Sequence, residues 1–210
     1  MTNTREFQVE KDGFYGIYYP NPKGAEVAMI AMLGDSCDDY LAKKGVGWLH
    51  SLGLNVLAMS PAAKDYSCHN LPLERFDLAS KWLMKEKNTK VGILGASTTG
   101  MLALLAASYF PAITMTIAIS PSDFVMEGYY QENGIERPGE NESTVSFEGE
   151  PLPYLPFAYR HPEYQEKIKE ESKKGKNMIA SREMFDRSEE LTPVTEEMRL
   201  KVENIHGTLM

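Results

Sequence analysis

Four apolar runs between Glu26 and Ile119 constrain this chain more than any other feature. Glu26-Val-Ala-Met-Ile-Ala-Met-Leu33 closes at Gly34-Asp35, and Leu54-Asn-Val-Leu-Ala-Met59 closes at Ser60-Pro61. Lys90-Val-Gly-Ile-Leu94 runs into Gly95, and Ile113-Thr-Met-Thr-Ile-Ala-Ile119 into Ser120-Pro121. A strand apolar on successive residues has no polar face to turn to water, so both its faces must be covered. Helical patterns fill the intervals. Tyr40 to Leu52 carries Leu41, Val46, Trp48 and Leu49 and stops at Gly53; Leu73 to Lys85 sets Phe76, Ala79 and Leu83 on one face; Thr98 to Tyr109 is small and apolar almost throughout. Strand and helix in alternation predict an α/β fold, a mostly parallel sheet with helices on both faces. Gly13-Phe-Tyr-Gly-Ile-Tyr-Tyr-Pro20 adds an aromatic strand ahead of it, closed by a turn at Asn21-Pro-Lys-Gly24.

The pattern changes after Ser122. From Glu127 to about Glu197 the chain is charged and rich in Gly, Pro and Glu, with Pro151-Leu-Pro-Tyr-Leu-Pro156 extended and Pro162 to Lys176 a polar helix. A stretch this long between elements reads as a lid or binding insertion. Lys167, Lys169, Lys173, Lys174 and Lys176 alternate with Glu166, Glu170 and Glu171, the pattern of a solvated helix face rather than a phosphate site. The expected organisation is one domain: residues 1–126 as core, 127–200 as polar insertion, and 201–210 entering a further strand.

The 210 residues carry a formal charge of −8, which argues against a nucleic-acid partner or an anionic membrane surface. Two cysteines make no disulfide framework, and Met1 to Glu10 holds no apolar leader, so a reducing, cytoplasmic location is expected. Twelve methionines read as core filler. No His-x-x-x-His or Cys-x-x-Cys spacing points to a metal, and no cofactor is implied.

The chemistry is concentrated in Val91-Gly-Ile-Leu-Gly-Ala-Ser-Thr-Thr-Gly100. A strand runs through Gly95-Ala96-Ser97 straight into a helix of small residues, the setting of a nucleophile elbow. Such a turn lifts the serine hydroxyl above the carboxyl edge of the sheet. It also aims the next N–H, that of Thr98, at a substrate carbonyl, where the helix N-terminus favours a developing oxyanion. The usual second glycine is Thr99 here, with Gly100 one place late, and threonine is expected to crowd the turn. The alternative is a polar serine capping the helix. The same residues spell Gly95-x4-Gly100, but Met101 and Leu102 stand where a phosphate loop needs lysine and a hydroxyl. In Leu33-Gly34-Asp35-Ser36-Cys37-Asp38, the loop after the first buried strand, Gly34 supplies an unusual backbone angle and Asp35 or Ser36 a second oxyanion N–H. Asp38 or Asp39 as helix cap is the plain reading of the same loop. Cys37 is expected to be an inert thiol.

These segments, together with Leu71-Pro-Leu-Glu-Arg-Phe-Asp-Leu-Ala-Ser-Lys-Trp-Leu83, resemble the C-terminal catalytic domain of acyl-CoA thioesterases and of bile acid-CoA:amino acid N-acyltransferase. More loosely, they resemble dienelactone-hydrolase-like esterases. The resemblance runs from about Gly13 to Met210 and implies an α/β-hydrolase fold with its C-terminal strands missing. It further implies a small-molecule acyl ester or thioester as substrate and Ser97 as nucleophile; the amide-forming relatives use cysteine, so serine implies hydrolysis. In that family the acid follows the next strand and the histidine comes later still, in the order serine, acid, histidine. By that order His50, His69, His161 and His206 are all misplaced, and Asp123, just past Ile119, is the substitute acid. The competing expectation is a truncated or degenerate, non-catalytic homologue that persists as a binding module or a fragment. A strand cut short near Thr208 would leave Ile113–Ile119 as an apolar edge, so self-association along it and poor turnover of the isolated chain are expected.

Overall fold

The computed structural model describes residues 4–34, 36–62, 67–132, 135–158, 162–175 and 182–210. They fall into two compact units. The first is Met1–Tyr66, Pro72–Asp123 and Leu200–Met210; the second is Ser67–Leu71 and Phe124–Arg199. The second unit therefore begins close to where the composition changes, and it also recruits a short segment from inside the expected core.

In chain order the first part of the molecule forms β1 (Arg5–Phe7), α1 (Val9–Asp12), β2 (Tyr15–Tyr19), β3 (Val27–Met32), α2 (Tyr40–Ser51), β4 (Asn55–Ser60) and β5 (Leu71–Pro72). Then come α3 (Glu74–Lys85), β6 (Lys90–Ala96), α4 (Thr98–Tyr109) and β7 (Ile113–Ile119). A late two-residue strand, β12 (Thr208–Leu209), completes the main sheet, whose order is β1-β2-β4-β3-β6-β7-β12. The two N-terminal strands join antiparallel, and the other pairings are parallel. All four apolar runs are strands of this sheet.

Side-chain alternation assigns the two faces. Met29, Ala31, Val56, Ala58 and Leu94 bury against Val46 and Leu49 of α2. Ile30, Leu57 and Ile93, also buried, look the other way, towards α3 and α4. Helix α4 is apolar all round, and nine of its twelve residues are buried, as such a helix must be. Strand β7 is covered by α4 on one face, while Met115 and Ile117 stay partly exposed on the α2 side.

A polar staple fixes the amino edge of the sheet. Buried Asn55 accepts from the Asn21 N–H (2.8 Å) and donates to Ala25 O (3.1 Å) and Asn88 Oδ1 (2.7 Å). Asn88 in turn donates to Leu83 O at the end of α3 (2.7 Å), and Asn21 donates to His50 O of α2 (2.8 Å). Loops with few apolar residues of their own are held by this satisfied network.

Strand β12 lies parallel to β7, with Thr208 opposite Met115 and Leu209 opposite Thr116. The middle of β7 is therefore not a bare edge as expected from the sequence; the free edge moves out to β12.

The second unit contains more strand than its composition signals. It holds a hairpin of β8 (Glu127–Glu132) and β9 (Ile135–Ser143), then β10 (Val145–Phe147) and β11 (Glu150–Pro151), the last two in a small sheet with β5. Ser67–Leu71 is sewn on by Cys68–Tyr129 bridging and by Asn70 and Leu71 N–H groups donating to Ser143 O and Thr144 O. Helices α5 (Pro162–Lys173) and α6 (Arg182–Leu191) follow. Glu127 is buried and accepts the Phe157 N–H at 2.8 Å. Lys167 pairs with Glu183 and Lys174 with Glu171; Lys176 lies outside the described residues. Among the described residues no helix is long and apolar enough to cross a membrane.

Candidate active site

Ser97 stands between β6 and α4 with φ 54° and ψ −123°, a conformation that side-chain-bearing residues rarely adopt. Its N–H donates to Ile119 O of the neighbouring strand (2.8 Å), and its carbonyl accepts from Met101 N–H in the first turn of α4 (3.1 Å). Its side chain makes no capping bond and is exposed. The capping alternative therefore fails, and the hydroxyl sits free at the carboxyl edge of the sheet. Strain of this kind costs about 1–3 kcal/mol and persists only where the surroundings impose it.

The surroundings are the glycines and one threonine. A Cβ on Gly95 would lie 2.0 Å from the Thr99 carbonyl oxygen, so only glycine lets strand and helix approach this closely. A Cβ on Gly100 would sit 3.3 Å from Ile119 O, tight but not prohibitive. Thr99 does not crowd the turn. Its buried Oγ1 accepts from the Ala96 N–H (2.9 Å) and lies 2.8 Å from Ala96 O and 3.0 Å from Met32 O of β3. The residue that departs from the usual motif is thus a brace between the elbow and the next strand. No sequence signal marked this role; a buried β-branched hydroxyl two residues after the serine is what reveals it.

Thr98, half-buried, opens α4, and the first N–H groups of a helix have no partner within it. They point at the same edge as the Ser97 hydroxyl. Gly34 has φ 85°, and a Cβ there would lie 2.3 Å from the Asp39 carboxylate. That carboxylate organises the loop: it caps α2 through the Ala42 N–H (2.8 Å) and takes the Ser36 N–H (3.2 Å). The Ser36 N–H is thus engaged by Asp39, while Asp35 lies outside the described residues. Cys37 is buried, its N–H donates to Ser60 Oγ (2.9 Å), and burial pushes its thiol up to about 11. Such a thiol is no nucleophile at neutral pH.

The acid and base candidates separate by sheet edge. Asp123 follows β7 at the carboxyl edge, exposed, with its carbonyl accepting the Leu200 N–H (2.9 Å). His50 is at the amino edge, its Nε2 3.0 Å from Tyr19 O. His206 precedes β12 beside the start of β7, roughly 20 Å from the Ser97 end at the rise of a strand residue. His69 belongs to the second unit, 3.4 Å from the Glu142 carboxylate, which also accepts from the Tyr130 hydroxyl (2.7 Å). His161 lies outside the described residues.

A family model described as BAAT / acyl-CoA thioester hydrolase C terminal matches residues 71–210. The chain belongs to this family. The matched span includes the elbow, β7, the Phe124–Arg199 part of the second unit and β12. Solved structures similar to parts of this chain match at low identity. An esterase of Pyrococcus furiosus is 21% identical over 57% of this chain and 51% of its own, with a TM-score of 0.46. The α/β hydrolase GrgF of a Penicillium species is 20% identical over 60% of this chain and 47% of its own (TM-score 0.45). A dienelactone hydrolase of Anabaena variabilis is 20% identical over 55% and 62% (TM-score 0.40). The chain thus spans about half the length of the first two. A comparison with curated proteins gave no match.

Proposed function

We propose that this chain is an acyl hydrolase acting on esters or acyl-CoA thioesters through an acyl-enzyme on Ser97. The carrying observation is the exposed, uncapped Ser97 hydroxyl on a positive-φ turn at the N-terminus of α4. Ser97 Oγ attacks the acyl carbonyl and its proton passes to a base. The tetrahedral oxyanion is met by the Thr98 N–H, with an N–H of the Gly34-Asp35 loop as second donor. Collapse expels the alcohol or thiol, which takes up the proton, and leaves the acyl group on Ser97. Water then adds to that ester and releases the acid. Asp123, at the same edge, is the carboxylate assigned to orient the base. Family membership supports an acyl-CoA thioester as the natural substrate, with the CoA thiol as the leaving group.

A second reading has its own support. Both described histidines of the first unit stand at the amino edge, the arrangement expected of a homologue that binds acyl compounds without turning them over. An elbow without its base keeps only about 10³–10⁴-fold catalysis over water. Hydrolysis of p-nitrophenyl butyrate and of a short acyl-CoA, compared between wild type and Ser97→Ala, separates the two. Serine-dependent turnover supports the hydrolase. A chain whose Ser97 resists a fluorophosphonate label and shows no turnover supports the binding homologue, and hydrolysis unchanged in Ser97→Ala removes the assignment altogether.

A further inference from the structure

Strand β7 ends against the elbow. Its Ile119 carbonyl accepts the Ser97 N–H at 2.8 Å, just past the pairing of Ala96 with Ile119. This bond holds the nucleophile's peptide from outside its turn, as the Thr99 brace holds the Ala96 N–H from within it. Both contacts are internal to the first unit.

The next residue, Ser120, has φ 48°. Left-handed backbone is unfavourable for a residue that carries a Cβ, and a residue before proline is ordinarily extended. Ser120 precedes Pro121, so both preferences are overridden. The cause stands on either side of it. The Ile119 C=O and the Ser120 N–H share one rigid peptide plane, and the bond from Ser97 holds that plane. Pro121 lies against the first turn of α4: a Cβ on Gly100 would stand 3.4 Å from Pro121 Cβ and 3.3 Å from Ile119 O. With a held plane before it and a held ring after it, the φ of Ser120 is the joint that reconciles the two. An extended Ser120 would swing the ring off α4 or the Ile119 carbonyl away from Ser97.

We propose that Ser120 is a positioning residue for the nucleophile: its left-handed backbone aims the Ile119 carbonyl at the Ser97 N–H and so sets where the Ser97 hydroxyl stands. The role belongs to the backbone of Ser120 and not to its hydroxyl, and it rests on Ser97 being the nucleophile. A displacement of about 1 Å at a reacting group costs on the order of 100-fold in rate, so a joint beside the elbow governs the chemistry without touching substrate.

Hydrolysis of p-nitrophenyl butyrate by Ser120→Gly, Ser120→Asn, Ser120→Thr and Ser120→Val separates backbone from side chain. Glycine and asparagine enter left-handed space most readily, and β-branched residues least. The Gly and Asn variants should therefore rescue kcat to within about twofold of wild type, while Thr and Val lose about 10–100-fold in kcat with KM little changed. Threonine keeps the hydroxyl and glycine deletes it. An active Ser120→Thr beside an impaired Ser120→Gly would assign the role to the hydroxyl and overturn the proposal, as would a series in which all four match wild type. Amide hydrogen exchange reads the same joint without turnover: the Ser97 N–H should exchange faster in Ser120→Val than in Ser120→Gly, relative to the other amides of β6, and equal exchange overturns the coupling. A wild type lacking Ser97-dependent turnover sinks the hydrolase reading instead, and the Ser97 amide then decides the role of Ser120 alone. If Ser120→Val loses its circular-dichroism signal, Ser120→Ala, which meets the same φ with the smallest side chain, takes its place with the same expected direction.

Discussion

Replacing Thr99 by valine tests whether the residue that breaks the usual motif is what holds the elbow together. Valine keeps the β-branched shape and volume and deletes only the hydroxyl. That hydroxyl accepts from the Ala96 N–H at 2.9 Å and has the carbonyls of Ala96 and Met32 at 2.8 and 3.0 Å as acceptors for its single proton. The site is buried, so water cannot replace the lost partner. Leaving a buried donor unsatisfied costs about 1–3 kcal/mol, to which the lost donation adds about 1 kcal/mol. The expected destabilisation is about 2–4 kcal/mol, read as a shift of the urea midpoint with unchanged slope. Thr99→Ser, which keeps the hydroxyl, should lose less than about 1 kcal/mol. Thr99→Gly restores the familiar glycine spacing, yet it should be the least stable of the three, because it removes the brace and adds chain entropy. If valine and wild type unfold at the same midpoint, or glycine proves the most stable, the brace does not exist and Thr99 is merely tolerated.

Ser97→Gly relieves a strained φ of 54° and should be more stable than Ser97→Ala by up to about 1 kcal/mol; a less stable glycine variant argues against strain at the elbow. Asn55→Leu orphans the Asn21 N–H, Ala25 O and Asn88 Oδ1 and should cost about 3 kcal/mol, measured by urea titration; a near-neutral result would show the amino edge held by other means. Cys37, its thiol pushed up to about 11 by burial, is about one-thousandth ionised at pH 8 and should resist a disulfide reagent until the protein unfolds; rapid labelling of Cys37 in the native chain would contradict that placement.

The sheet and the elbow were legible in the sequence for one reason: strands buried on both faces must be apolar on successive residues, and each such run appears without any alignment. The second unit was not legible because its strands follow the opposite rule. Glu127-Gly-Tyr-Tyr-Gln-Glu132 and Ile135-Glu-Arg-Pro-Gly-Glu-Asn-Glu-Ser143 are poor in β-formers and alternate weakly. They become strands because they pair with each other in a hairpin, which composition does not encode. Helix α6 escaped notice for a related reason: only Met184 and Ser188 of its ten residues are buried, too short a stripe to register as a period. At the elbow the sequence misjudged Thr99, because the motif records which residue is usual there and not why. The reason for glycine is steric, and the structure puts the steric demand on Gly95, whose Cβ would meet backbone, rather than on residue 99.

Local contacts at the carboxyl edge of the sheet explain why a strained serine is tolerated at all. The amino edge is closed by fully satisfied side-chain amides, Asn21, Asn55 and Asn88, which tie α2, α3 and β4 together. Positive φ occurs at both edges, at Lys87 (67°) and Gly53 (80°) before β6 and β4, and at Ser97 (54°), Ser120 (48°) and Gly34 (85°) at the carboxyl edge. Two of these segments are held by neighbours. Ser97 is pinned by Ile119 O and by the Thr99 brace, and the Gly34 loop by the Asp39 carboxylate. Strain at the elbow therefore persists because these local contacts impose it, and the groups there that a substrate carbonyl would engage are the Ser97 hydroxyl and the first N–H groups of α4.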